Sequence, residues 1–249
     1  RTIAISNMPD TTIVREADAA LISGAGPEVS IPATKSFTTQ LTILYLMALF
    51  LARKRGRMTS EVTRSDLQRL NQVPDAIDAN LAKWDTLAQE FGARHFKAEK
   101  FLYLGRGVHY AIAREGALKL KEISYAHAEG YPVGELKHGP NALVDETLPV
   151  VVLATCDRRD PDSMLRYRRT LDVMKEVRSR RGPLVAVATE GDTEVATIAE
   201  HVFFVPAAPE LLLPIVEVIP LQLFAYHVAV NKGYDVDHPR NLVKAVVTE

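Results

Sequence analysis

Cysteine is nearly absent. The 249 residues hold one, Cys156, so no internal disulfide framework is possible and the chain suits a reducing compartment, with Cys156 serving as a small residue at the end of the strand VVVLAT. Charge of one sign is missing too: 30 Lys and Arg face 31 Asp and Glu, and no basic block with interleaved aromatics appears, so a nucleic-acid partner is not expected. Long apolar runs are few. The longest, Leu41 to Leu51, is interrupted by Thr42 and closes on Arg53-Lys54-Arg55, which reads as a buried helix with a basic C-terminus, too short to span a bilayer. No signal peptide precedes it, and the expected setting is the cytoplasm with no membrane partner. The 7 histidines form no HExxH, HxH or Cys/His cluster, so no metal site is expected, and no GxSxG elbow marks a serine nucleophile. Phosphate-cradling loops are lacking as well. Gly105-Arg106-Gly107 resembles the start of a dinucleotide fingerprint, but the third glycine or alanine would fall at Tyr110 and no GxxxxGK[ST] exists; a tight turn is the reading, with no cofactor.

With 47% hydrophobic and 24% charged residues, the chain has enough material for one large domain or two moderate ones. An internal repeat decides for two. Residues 1–56 lie on residues 183–238 without a gap, so that Ala4 matches Ala186, Pro27 matches Pro209, Glu28 matches Glu210, Pro32 matches Pro214, Gln40 matches Gln222 and Leu41 matches Leu223. TIAISN and LVAVAT are short strands, DAALIS and EHVFFVP a second pair, and each copy continues through Pro-Glu into a long amphipathic helix. The second copy is the fuller one, with strand 101–107, a charged helix from His109, strand 148–155 and a basic helix over about 162–181. Strands alternating with helices predict an α/β fold, a parallel sheet covered on both faces. The expected layout is the C-terminal part of a first domain at 1–57, a helical connector at 58–100 with Ser60 or Ser65 as N-cap and a break at Pro74, a second domain at 101–234, and a tail at 235–249. The first copy lacks a counterpart of 101–182 and is expected to be incomplete at its N-terminus.

Chemistry concentrates between Arg114 and Pro140. On the helix, Ala113, Ala117, Leu120 and Ile123 form an apolar line, while Glu115, Lys119 and Glu122 recur at i, i+4 and i+7 on another, bringing Lys119 beside Glu122. A solvated stripe of ion pairs is the plain alternative. A loop with Gly130, Pro132 and Gly134 then presents Lys137-His138-Gly139-Pro140. The residue types that remain suit acid–base and amine chemistry: Glu122 as carboxylate base, Lys119 as its neighbour, His138 as a near-neutral proton carrier and Lys244 in the tail DHPRNLVKAVVTE. Spacing alone would leave Lys244 an exposed lysine.

The segments EGALKLKEISYAHAE, GELKHGP, ATKSFTTQLT and PLQLFAYHVAVNKGYDVDHPRNLVKAVVTE resemble the isomerase half of the glucosamine-6-phosphate synthases, the glutamine:fructose-6-phosphate amidotransferases. The resemblance implies two sugar-isomerase (SIS) domains of flavodoxin-like three-layer form. It implies that Glu122 moves a proton between C1 and C2 of fructose 6-phosphate on the way to glucosamine 6-phosphate, with Lys119 assisting. His138 would open the sugar ring from the other subunit of a homodimer with a shared active site. Lys244 would form a Schiff base with the ketose, and Ile31, Ala33 and Val243 would contact the sugar, Ala33 standing where a serine is expected. It further implies a glutaminase domain in the full-length chain, supplying ammonia, and no cofactor. Two other classes stay open: a phosphosugar deaminase or isomerase without amide transfer, and a non-catalytic SIS module that senses a phosphosugar.

Overall fold

The computed structural model describes residues 1–244, which form two compact units: Arg1–Gln72 with the tail from Arg240, and Val73–Pro239. The first unit begins β1 (Ile3–Ser6), α1 (Thr12–Glu16), β2 (Ala19–Ile22) and α2 (Lys35–Lys54). β1 and β2 pair in parallel, with Ile3 opposite Ala19, as a two-stranded sheet. So small a sheet leaves α2 poorly covered. Of its side chains only Tyr45 and Leu49 are buried, whereas Leu44, Leu46, Phe50 and Leu51 are exposed, which corrects the expectation of a buried helix. α2 also extends well beyond its apolar run, to 20 residues. By length and composition alone it is long and apolar enough to cross a membrane, contrary to the reading from the run.

A single long helix, α3 (Ser60–His95), starts in the first unit and ends in the second. Its cap is neither Ser60 nor Ser65: Thr59 Oγ1 accepts the backbone N–H of Val62 at 3.3 Å. Pro74 does not break it. A proline inside a helix costs about 3 kcal/mol, and the C-terminal half offsets this by burying Trp84, Ala88 and Phe91. Trp84 Nε1 donates to the Phe204 carbonyl at 2.8 Å, so the buried indole leaves no polar atom unpaired.

The second unit continues with β3 (Lys100–Gly105), α4 (Val108–Ser124), β4 (His127–Pro132), two 3₁₀ turns (Val133–His138 and Pro140–Leu143), β5 (Val150–Ala154), α5 (Pro161–Ser179), β6 (Leu184–Thr189), α6 (Thr193–Ile198), β7 (His201–Val205) and α7 (Leu213–Asn231). Its five strands are all parallel in the order β4-β3-β5-β6-β7, the flavodoxin-like doubly wound arrangement. Both faces are dry. Leu102, Leu104, Val150, Val152, Leu184 and Ala186 pack on one side with Leu171, Met174 and Val177 of α5 and Val195 and Ile198 of α6. On the other, Phe101 meets Phe224 of α7 edge-on at 6.1 Å and Phe203 meets Phe91 of α3 at 4.9 Å. Strands buried on both faces carry continuous apolar runs, which is why VVVLA and LVAVAT lack alternation. Cys156, just past β5, is buried and unpaired.

The repeat appears in the pairing register. Val185 of β6 lies opposite His201 of β7, as Ile3 of β1 lies opposite Ala19 of β2, so both copies pair each residue with the one sixteen further on. A further element differs from expectation: HAEGYP is edge strand β4 rather than part of a loop. Gly130 is required there because a Cβ would come within 2.7 Å of the Arg114 Cα on α4. The residue that reads as a turn former is a point of close backbone approach.

Candidate active site

Helix α4 grows from the tight turn expected at Gly105–Gly107. A Cβ on Gly105 would lie 2.3 Å from the His109 carbonyl oxygen, and Gly107, the N-cap, has φ 63°, so two glycines let the chain leave β3 and enter the helix at once. The apolar line then fixes the helix rotation: Ala113, Ala117, Leu120 and Ile123 are all buried. That rotation carries Lys119 inward. Lys119 is only 4% exposed, and its Nζ donates to Glu122 Oε2 at 2.6 Å and stands 3.6 Å from Glu115 Oε1. One buried ammonium thus faces two carboxylates, a geometry unlike a solvated stripe. Burial is the main influence on Glu115 and raises its pKa, with the Glu122 charge adding to the rise and Lys119 opposing it.

His138 ends the first 3₁₀ turn, which is anchored by buried Val133 and Leu136 and followed by Gly139 at φ 146°. Its imidazole is exposed, and among the described residues the side chain makes no hydrogen bond. The structure therefore brings Lys119, Glu122 and Glu115 into contact and leaves His138 outside that group. Neighbouring Lys137 pairs with Glu176 at 3.2 Å.

In the first unit, Lys244 is not a free tail lysine. Its Nζ donates to Glu28 Oε2 at 2.9 Å, to the Ser30 carbonyl at 2.7 Å and to the Ile31 carbonyl at 3.3 Å, which joins two of the predicted residues, Ile31 and Lys244. Ala33 lies in the same loop, half-buried, and Val243 is exposed. Glu28 organises the loop. Oε1 accepts the Thr34 and Ser36 N–H groups at 2.8 and 3.2 Å, and Oε2 also accepts Ser36 Oγ at 2.6 Å, so the carboxylate closes the turn leading into α2. Burial would raise its pKa, yet Ser36, Lys244 and the backbone donors bring it down to about 2. The tail residues 245–249 lie outside the described residues.

A second polar cluster went unrecognised in the sequence. Between the C-terminal ends of β3 and β5, where a doubly wound sheet has its switch point, His109 sits fully buried with Nδ1 2.6 Å from Glu217 Oε1 and Nε2 3.0 Å from Glu210 Oε1. Arg166 holds Glu210 through Nε and Nη2 at 2.7 and 2.8 Å, Ser163 Oγ donates to it at 2.5 Å, and Thr155 Oγ1 donates to Glu217. Burial pushes the His109 pKa down, but the two carboxylates win and it is raised, while Glu210 falls to about 2 against its own burial. The crevice is filled by the protein's own ion pairs. The only hint of this in the sequence was the Glu28–Glu210 match.

Residues 1–50 and 96–232 match the model of the SIS domain family, and the chain belongs to that family. It is 45% identical over 249 residues to a glutamine–fructose-6-phosphate aminotransferase (isomerizing) of Thermus thermophilus, covering all of this chain and 40% of that protein, and 47% identical to the one of Bordetella parapertussis, of which it covers 39%. The chain thus spans about two fifths of the length of the curated relatives it matches. Among solved structures it is similar to the C-terminal domain of glucosamine-fructose-6-phosphate aminotransferase from Francisella tularensis, with TM-score 0.86 and 38% identity over 95% of this chain and 64% of that one. A glucosamine-6-phosphate deaminase from Thermotoga maritima, at 23% identity and TM-score 0.68, shares the fold.

Proposed function

We propose that this chain is the isomerase part of an enzyme that makes glucosamine 6-phosphate from fructose 6-phosphate and glutamine-derived ammonia. The observation that carries the reading is the buried Lys119–Glu122 pair on α4, in a SIS frame similar along the whole of this chain to part of the aminotransferases it matches. In this reading the Lys244 amine adds to the C2 carbonyl of the open-chain ketose and expels water to give an imine, and ammonia then replaces the lysine at C2. Glu122 takes a proton from C1 and returns one to C2. The C1 hydroxyl proton ends on nitrogen, which converts the 2-imine of the ketose into the 2-amino aldose with all atoms accounted for. Lys119 holds the Glu122 carboxylate in place, and its ammonium is set to steady negative charge that develops on the sugar oxygens. His138, exposed and with both ring nitrogens available, suits proton transfer in ring opening. We assign it to the site of a partner subunit in a homodimer, and Ile31, Ala33 and Val243 to contacts with the sugar. The glutaminase domain belongs to the full-length protein, and the reaction runs in the cytoplasm.

The test separates the two reactive residues in the full-length enzyme. Glu122→Gln should lose solvent-deuterium incorporation at the sugar and about 10²–10⁴-fold in rate, yet still be trapped by borohydride with fructose 6-phosphate. Lys244→Arg should lose the trapped adduct. Trapping of Lys244→Arg at the wild-type level would move the imine to another lysine.

A further inference from the structure

The sequence match between Glu28 and Glu210 acquires a physical meaning once both carboxylates are placed. Each follows Pro in its copy, each accepts a serine hydroxyl, Ser36 for one and Ser163 for the other, and each holds a cation. The cations differ. In the second unit it is Arg166, 8% exposed, held through two nitrogens and fixed in the interior. In the first unit it is Lys244, whose side chain is 40% exposed and sits on the tail, while the Glu28 side chain is 8% exposed. The same position of the repeat holds a well-buried cation in one copy and a partly exposed one in the other.

We infer that Glu28 is a positioning residue for Lys244: it clamps the tail amine, which must leave the carboxylate before it attacks the ketose. The geometry is specific. An ammonium has three N–H donors, and all three acceptors within reach, Glu28 Oε2 and the Ser30 and Ile31 carbonyls, are satisfied by the one nitrogen. An amine so engaged has no lone pair to offer a carbonyl. The clamp also places Lys244 against the loop that carries Ile31 and Ala33, so release delivers the amine beside the residues assigned to the sugar. Glu28 is well built for the task, because Oε1 is tied to the Thr34 and Ser36 N–H groups and the carboxylate cannot swing away with the lysine.

The catalytic part of this inference rests on the proposed imine role of Lys244; the clamp itself does not, and the experiment keeps them apart. In substrate-free full-length protein, competitive acetylation with acetic anhydride read by peptide mass spectrometry measures the reactivity of Lys244 against exposed Lys97. Glu28→Gln keeps an oxygen for Thr34 and Ser36 but removes the charge, and for a pair this exposed Lys244 labelling should rise about 2- to 5-fold with Lys97 unchanged. Glu28→Asp should restore much of the protection. Borohydride trapping with fructose 6-phosphate should then persist in Glu28→Gln, with its onset moved to lower pH and the half-saturating sugar concentration changed. Equal Lys244 labelling in wild type, Glu28→Gln and Glu28→Asp overturns the clamp. Absence of any trapped adduct in wild type overturns the imine reading and leaves the clamp to stand on the labelling alone.

Discussion

Lys119 is the residue whose burial changes its meaning. At i, i+4 and i+7 the charges of Glu115, Lys119 and Glu122 were legible in the sequence, as was their common face. What spacing leaves out is depth, since the apolar line of α4 turns Lys119 to 4% exposure with two carboxylates for company. Glu28 was less legible still: Thr34, Ser36 and Lys244 converge on it through the fold of the loop and the return of the tail, and no local pattern encodes that. A prediction follows from the burial of Lys119. Replacing it by Met keeps the aliphatic bulk and strands the carboxylates, which should cost about 2–3 kcal/mol, below the range for a fully enclosed pair because Glu122 is partly exposed. Burial already raises the Glu115 pKa and Lys119 opposes that rise, so without Lys119 the carboxyl should bind its proton still more readily, and the penalty should shrink on moving from pH 8 to pH 5. Urea unfolding of this chain followed by the fluorescence of Trp84, its single tryptophan and fully buried in the second unit, measures both effects. Equal stability of the variant and wild type at pH 8 would return the stripe to an ordinary solvated face.

Elements were easiest to predict where periodicity and burial agree. β3, β5, β6 and the helices α4 and α5 fall close to their expected spans, whereas β4 hid behind Gly130 and Pro132, and α3 ran through Pro74 because tertiary packing outweighed the local signal. The seam where α3 meets β7 holds a further consequence. Phe91 lies against His201 at 4.1 Å and His95 approaches the same ring at 5.6 Å, with His95 Nε2 buried and without a hydrogen-bond partner among the described residues. Burial first, then His201 and Arg94, lowers the His95 pKa to about 4; burial and Arg94 lower that of His201, with Glu90 opposing. A histidine depressed from 6.5 binds its proton more readily in the unfolded chain, so its contribution is complete above pH 6.5 and is lost as pH falls toward 4. His109 has the opposite sign, its contribution being full below pH 6.5 and lost as pH rises through its raised value. His95→Leu should isolate the first effect. Relative to wild type the variant should gain about 1–2 kcal/mol at pH 5 beyond whatever it gains or loses at pH 7.5, read from unfolding midpoints at the two values. A constant difference across that range would show that His95 is not the acid-sensitive group.

At the level of the whole molecule, the repeat is visible in the sequence, because a parallel α/β unit repeats its strand–turn–helix pattern residue by residue, and both copies pair each strand residue with the one sixteen further on. The filled crevice of the second unit was not visible. His109, Thr155, Arg166, Glu210 and Glu217 come from separate elements, and their convergence is a property of topology rather than of any segment. That cluster bears on how the proposed active site is assembled. With its own switch point occupied by ion pairs, the second unit would, in the proposed reading, contribute chemistry through α4 and the His138 turn instead. Glu122 stands partly buried beside Lys119, while the His138 side chain is exposed and free of hydrogen bonds among the described residues, as a group poised to serve a neighbouring copy would be. In the full-length enzyme, the proposed homodimer with His138 acting across the interface predicts complementation. A His138→Ala subunit retains Glu122, and a Glu122→Gln subunit retains His138, so a verified heterodimer of the two contains one intact composite site. Such a mixture should recover up to about half of wild-type activity, while each homodimer stays about 10²-fold or more below it. Differently tagged subunits, co-expressed and purified through both tags, supply the heterodimer, and glucosamine 6-phosphate formation reports the result. If the doubly tagged species is no more active than either parent, His138 and Glu122 serve the same site from the same chain.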